Sequence, residues 1–494
     1  MTRGGGMSGP GYLTWNALAV LAVVAYALAQ TSPIDGAEPF RIRVVDDSNG
    51  WPVPLVELRT THHVRFVTDN TGVVAFDLPE LMGVETWLHV EGHGYRVPAD
   101  GFGYRGVRIT PRPGESQEIK VHRELPAKRL GRITGGGLFA ESQKLGSDLN
   151  WQEQGILGCD SVQNVLHNGK LFWAWGDTVL ARYPLGRFHM IAATTAPRPL
   201  QRWEPPIRLR YDYFTDEAQL PRNTAEIAGP GPTWLTGFVS LPDQEGRQRL
   251  GATYSKIKPP LSEYERGLCV WNEETRNFER LKVLWRQSDD GRSGADRNRP
   301  SPAPLGHPVM WTEPSADKAT DQTADKAPGQ RTWLLFGDPF PALRCRPMFE
   351  AWSDPGSWEA LTPQRAVPTR KPQAEPVTPH RGAIAWNRYR GRWVTVFTQL
   401  RGDSSTLGEL WYAEADAPTG PWRGAVKVVT HNRYTFYNPQ LHPEFTAPDS
   451  PQLLFEATYT HTFSKSAEPT PRHDYNQVLY RLDLDELGDV LPNE

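Results

Sequence analysis

Cysteine is scarce: Cys159, Cys269 and Cys345 are all the chain has in 494 residues. They are odd in number and widely spaced, which excludes a disulfide framework and a zinc-ligand pattern. They read as buried free thiols, with one pair able to bridge after export. Excess charge is also missing. A formal net charge of -3 leaves no broad basic surface for nucleic acid or anionic lipid. Beyond the N-terminus there is no long apolar run, so the mature chain has no membrane span. No Gly-x-Ser-x-Gly elbow or His-Glu-x-x-His motif occurs. Gly135-Gly136-Gly137 lacks the Lys-Ser/Thr and helix of a phosphate loop.

What is abundant is aromatic and turn-forming. The sequence holds 18 Trp, 16 Tyr and 18 Phe beside 44 Gly and 45 Pro. Aromatic stretches broken this often predict many short strands, hence an all-β protein of two or three domains. Residues 1–29 read as a signal peptide. Arg3 precedes an apolar run from Ala17 to Leu28, and Ala27-Leu28-Ala29 is a small-x-small cleavage site before Gln30. The run is shorter than the about 20 residues of a membrane span. A secreted or periplasmic location follows, with an uncleaved anchor as the alternative.

Residues 39–125 predict a small β-sandwich. Phe40 to Val45 alternates with period two, and turn clusters stand at Asp46 to Gly50 and Thr68 to Gly72. Asp46-Asp47 through Pro52-Val53-Pro54, Thr68-Asp69-x-x-Gly72 and Gly94-Tyr95 resemble the transthyretin-like regulatory modules that accompany secreted carboxypeptidases and polysaccharide enzymes. The resemblance implies an accessory module without catalysis. His62 and His63, neighbours on one strand, point to opposite faces and read as surface residues.

From 136 to 494 five segments repeat an apolar strand, a turn and an aromatic-rich return strand. They begin at Cys159, Gly229, Gly306, His380 and Tyr437. Starts about 60 to 80 residues apart predict a five-bladed β-propeller with long loops. Thr312 to Arg331 and Arg365 to Pro379, rich in Pro, Ala and Lys, read as mobile insertions.

The strongest local signal is His167-Asn168-Gly169-Lys170, an Asn-Gly two-residue hairpin turn. Counting outward from that turn, Asp160 falls opposite Asp177. Directly opposed carboxylates repel, so something must compensate: a metal, an arginine, a shared proton or water. A propeller places both at the channel mouth. The corresponding strand ends carry Asp338 and Glu456. The strand starts carry Glu226, His307, Arg381 and Asn438. Such a set suits general acid/base work on a polar substrate. Asp160 and Asp177 are the expected catalytic pair, and the other six are expected to bind substrate. No cofactor is expected, a structural cation in the channel being the one alternative.

Asp160-Ser161-Val162 through His167-Asn168-Gly169-Lys170-Leu171-Phe172-Trp173 resembles the first blade of the five-bladed glycosidase superfamily, which includes arabinanases, xylosidases and levansucrases. Trp411-Tyr412-Ala413 through Gly420-Pro421-Trp422 and Tyr480 to Leu484 resemble later strands of that group. Asp160 with Gly176-Asp177-Thr178 is most similar to its D-arabinan-cleaving branch. The resemblance implies glycosidic hydrolysis of a polysaccharide or oligosaccharide, with Asp160 as base or nucleophile and Asp177 as acid or pKa tuner. One departure stands out. Family members carry an acid Glu at a later strand start, where this chain has His307-Pro308 and His380-Arg381-Gly382; Glu226-Ile227-Ala228-Gly229-Pro230 is a loose substitute. Asp177 or Glu456 then takes the acid role, or the propeller binds glycan or protein without cleaving. Trp173 and Trp175 read as packing between blades rather than as sugar platforms.

Overall fold

A computed structural model describes residues 38–490 apart from 153–154, 188, 198–202, 288–301, 315–330, 403–404 and 465–467. The expected export segment, residues 1–29, lies outside the described residues, as does most of the insertion from Thr312 to Arg331. Among the described residues no helix is long and apolar enough to cross a membrane.

The chain is nearly all β. Five four-stranded sheets follow one another in sequence order. Blade one contains Gln163–His167, Lys170–Trp175, Ile191–Thr195 and Asp212–Tyr213. Blade two runs from Thr233–Pro242 to Asn277–Arg286, blade three from Val309–Thr312 to Glu359–Ala360, and blade four from Pro379–Asn387 to Arg423–Val429. Blade five takes three strands from Thr435–Leu441, Gln452–Thr460 and Asn476–Asp483. Its fourth is Lys128–Arg132, from before blade one. Val478 pairs with Arg132 and Arg481 with Lys128, so backbone bonds between the two ends of the domain close the ring. The propeller therefore begins ahead of Gly136, because the closing strand has no repeat pattern of its own.

Each gap between neighbouring blades holds its own apolar core. In Lys170–Trp175, Phe172 and Ala174 pack toward blade two, while Trp173 and Trp175 pack toward blade five. Both faces are covered, which explains a near-continuous apolar run in place of alternation. The two indoles, fully buried, stack 6.0 Å apart. All three cysteines are free and buried. Arg365 to Pro379, expected to be mobile, is instead tied down. Val367 and Val377 exchange both backbone bonds, and Thr369 bridges to Ala425.

The N-terminal strands form one continuous sheet, with Phe40–Asp46 parallel to Ser116–Arg123. His62 and His63 are exposed. The turn at Thr68 to Gly72 docks this module on the propeller. The Asn70 side-chain amide donates to Arg132 O (2.8 Å) and its oxygen accepts from Arg132 N (2.9 Å), pairing with the closing strand like a short piece of backbone. Asp69 Oδ2 accepts from the Ser142 N–H and hydroxyl, both at 2.8 Å. Arg129, buried between the two bodies, donates to Pro54 O, His93 O and Tyr480 Oη. An Arg129→Ala variant strands those acceptors at about 1–3 kcal/mol each. Calorimetry is expected to show a lower melting temperature with the single transition split in two. A single unshifted transition would show that Arg129 does not couple the modules.

Candidate active site

The turn at Asn168-Gly169 has positive φ at both residues, 47° and 77°, the type I′ form that matches strand twist. His167 pairs with Lys170 and Gln163 with Ala174. Beyond that point both arms leave the blade. Ile156–Cys159 pairs with Thr178–Leu180 in a separate three-stranded sheet, with Cys159 opposite Thr178. The single strands expected over Cys159 to Leu166 and Leu171 to Thr178 are thus interrupted. Asp160 and Asp177 occupy the break between two ladders that keep one register, and there Asp160 O accepts from Gly176 N at 2.8 Å. The cause is local. Ser161 is left-handed (φ 52°), and its N–H donates to Thr458 Oγ1 in blade five instead of to a neighbouring strand.

The two carboxyls have unlike surroundings. Asp160 Oδ2 accepts from Tyr437 Oη at 2.5 Å, and the hydroxyls of Tyr475 and Ser161 also bond its carboxyl. Gly176 makes room for it: a Cβ there would lie 2.3 Å from Asp160 Oδ1. Burial raises the Asp160 pKa, while the three hydroxyls and the charge of Arg381 favour its anion. Among the described residues Asp177 accepts only from Trp234 Nε1, at 3.2 Å. Burial first, and then the Asp160 charge, push its pKa up to about 7. The two carboxyls are therefore unequal acids: three hydroxyls favour the Asp160 anion, while burial and the Asp160 charge favour the protonated form of Asp177. Among the described residues no group of three or more His, Cys, Asp or Glu is placed to hold a metal ion.

Other expected residues gather around this pair. Asn438, left-handed at φ 49°, donates from Nδ2 to Ser161 Oγ at 2.6 Å. Arg381, with a half-exposed side chain, pairs with Asp338 Oδ2 at 3.3 Å. Asp338 Oδ1 also accepts from Gly382 N at 2.9 Å. Burial, with the charges of His442 and Arg381 nearby, lowers the His307 pKa to about 3, so its ring is neutral. Two residues stand elsewhere. Glu456 is 0% exposed, held by His442 Nε2 at 2.8 Å, and has no surface for substrate. The exposed Glu226 binds Asn223 Nδ2 at 2.9 Å, in the loop before blade two. The structure shows neither Glu226 nor Glu456 bonded to Asp160 or Asp177.

Sequence reasoning gave no part to Tyr437 and Trp234. Tyr437 precedes Asn438 directly, so its position beside the strand start was a usable signal. Tyr475 and Trp234 reach the pair from other blades, and no local pattern encodes that contact.

No protein-family model and no curated protein matches the chain. Among solved structures, it is similar to a putative exo-β-1,3-galactanase from Bifidobacterium bifidum, at 11% identity over 66% of this chain and 87% of that one, TM-score 0.35. It is similar also to an exo-1,5-α-L-arabinanase from a bovine ruminal metagenomic library, at 10% identity, 67% and 95% coverage and TM-score 0.34. A third is the catalytic domain of a Coprinopsis cinerea α-L-arabinofuranosidase, at 10% identity, 72% and 96% coverage and TM-score 0.32.

The Asp177 shift has a consequence for stability. Its folded pKa lies above the unfolded value, so its contribution is fully present below about 4 and lost as pH rises through about 7. Asp177→Asn keeps an acceptor for Trp234 and cannot ionise. Its melting temperature relative to the native chain is expected to rise by several degrees between pH 5 and pH 8. A difference independent of pH would show that Asp177 is ionised throughout.

Proposed function

We infer that the protein is an exported carbohydrate-active enzyme that hydrolyses glycosidic bonds at the propeller mouth. The observation that carries this reading is the unlike surroundings of two neighbouring carboxyls, Asp160 bonded by three hydroxyls and Asp177 with its pKa pushed up to about 7. Glycoside hydrolysis needs that pair: a proton for the departing oxygen, and a carboxylate that attacks the anomeric carbon or activates water. Asp177 supplies the proton and Asp160 the carboxylate. Tyr437, Tyr475 and Ser161 hold Asp160 in place as positioning residues. Asn438, Arg381 and Asp338 offer donors and acceptors for sugar hydroxyls around the pair. Export rests on the signal-like segment at residues 1–29.

One observation favours a second reading, a propeller that binds glycan without cleaving it. Asp338 is engaged by Arg381 and Gly382, while Glu456 is buried. The site thus lacks a third uncommitted carboxyl, and catalysis falls on two.

Reducing-end release from a panel of arabinans, galactans and xylans, with the chain starting at Gln30, separates the readings. Asp160→Asn and Asp177→Asn are each expected to lower kcat/KM by about 10²–10⁴-fold. The native rate is expected to fall as pH rises through about 7, where Asp177 loses its proton, and that limb should vanish in Asp177→Asn. Turnover that survives Asp160→Asn, or a folded native chain with no turnover on any substrate, would favour the binding propeller.

A further inference from the structure

The outer face of the N-terminal module carries a row of aromatic rings that its core does not require. Along Thr86–Gly92 the residues alternate, with Thr86, Leu88, Val90 and Gly92 buried and Trp87, His89 and Glu91 turned outward. Trp87 lies over Gly106, where a Cβ would come within 2.6 Å of its ring, and Arg108 covers it at 5.5 Å. Trp87 meets His89 at 6.0 Å, and His89 meets Tyr104 at 6.0 Å. Tyr104 is 58% exposed and Phe102 90%. Both stand on a turn fixed by Asp100, whose Oδ1 accepts from the N–H groups of Phe102 and Tyr104 at 2.9 Å each. The rings are therefore held outward on a rigid support, where a floppy loop would let them fold back.

The row borders a polar groove. One cavity of about 400 Å³ starts at Tyr104 and His89. A second of about 290 Å³ continues to the seam with the propeller. They share Arg59, Glu91 and Asn432. Four arginines and four glutamates line the two together, Arg65 pairing with Glu57 at 2.6 Å and Arg96 with Glu124 at 2.9 Å. Equal numbers of each sign disfavour an anionic or a cationic ligand. Fixed donors and acceptors beside an exposed ring suit a neutral polyhydroxylated one, with C–H faces on the aromatic and hydroxyls on the Arg and Glu groups.

We propose that this groove is a non-catalytic binding site for a neutral oligosaccharide segment, with Tyr104 as its platform and the exposed Phe102 beside it on the same turn. The site stands apart from the chemistry at Asp160. Its test uses the intact Asp160→Asn chain, so that turnover plays no part. Native electrophoresis through gels containing arabinogalactan, arabinan or xyloglucan is compared with gels containing polygalacturonate or chitosan. Retardation by at least one neutral glycan is expected. The Phe102→Ala/Tyr104→Ala double variant should weaken it about tenfold, a loss near 1.4 kcal/mol, with an unchanged melting temperature. Arg59→Ala should weaken it as well. Retardation by no neutral glycan, retardation by the charged polymers alone, or full retention in the double variant would each overturn the proposal. The last result would place glycan binding on the propeller and leave the hydrolytic reading standing.

Discussion

Ring closure by backbone hydrogen bonds between the two ends of the propeller fixes where everything else stands. Lys128–Arg132 completes blade five by pairing with Asn476–Asp483, and this brings blade five against blade one. At that junction Tyr437 and Asn438 meet Asp160 and Ser161. Around the rest of the ring Trp234 links blade two to Asp177, and Gly382 links blade four to Asp338. The site is thus a product of closure, since no single blade contains its parts. The N-terminal module is bound into the same constraint, because Asn70 and Arg129 hold the strand that closes the ring. Losing the module would leave that strand without its outer partners.

Charge around Asp160 and Asp177 follows from burial and from who donates to whom. Between blades one and five, His442 lies between Glu444 and Glu456. Burial opposes its charge, yet the hydrogen bonds and charges of the two carboxylates raise its pKa to about 9. The half-exposed Arg381 favours an anion at Asp160, and charge on Asp160 in turn raises the Asp177 pKa. Ser161, Asn438 and Tyr475 all hold left-handed backbone around Asp160. Strain of this kind gathers where a geometry must be kept.

Much of this was legible in the sequence for one reason: an Asn-Gly turn sets register. From Asn168-Gly169 alone, Asp160 and Asp177 are opposed, and the structure keeps that opposition through a change of sheet. The repeat was readable because second strands such as Lys170–Trp175 and Thr332–Gly337 carry apolar runs buried on both faces. The closing strand Lys128–Arg132 was not, since two of its five residues are buried arginines that carry no strand signal. Glu456 was misplaced because equivalence between blades gives position along a strand and says nothing of depth. The fixed loop at Arg365 to Pro379 was misread from composition, which registers Pro and Lys and misses the Val367–Val377 pairing.

Everything proposed for this site needs Asp160 ionised while Asp177 keeps its proton until pH rises to about 7. Infrared difference spectroscopy on chain labelled with carbon-13 at the aspartate carboxyls measures this directly, followed from pH 4 to pH 9. The account predicts one protonated-carboxyl band that disappears with a midpoint near 7, is missing in Asp177→Asn, and moves to lower pH in Asp160→Asn because the neighbouring charge is gone. If every aspartate of the native chain has ionised below pH 5, the division of roles between Asp160 and Asp177 is contradicted.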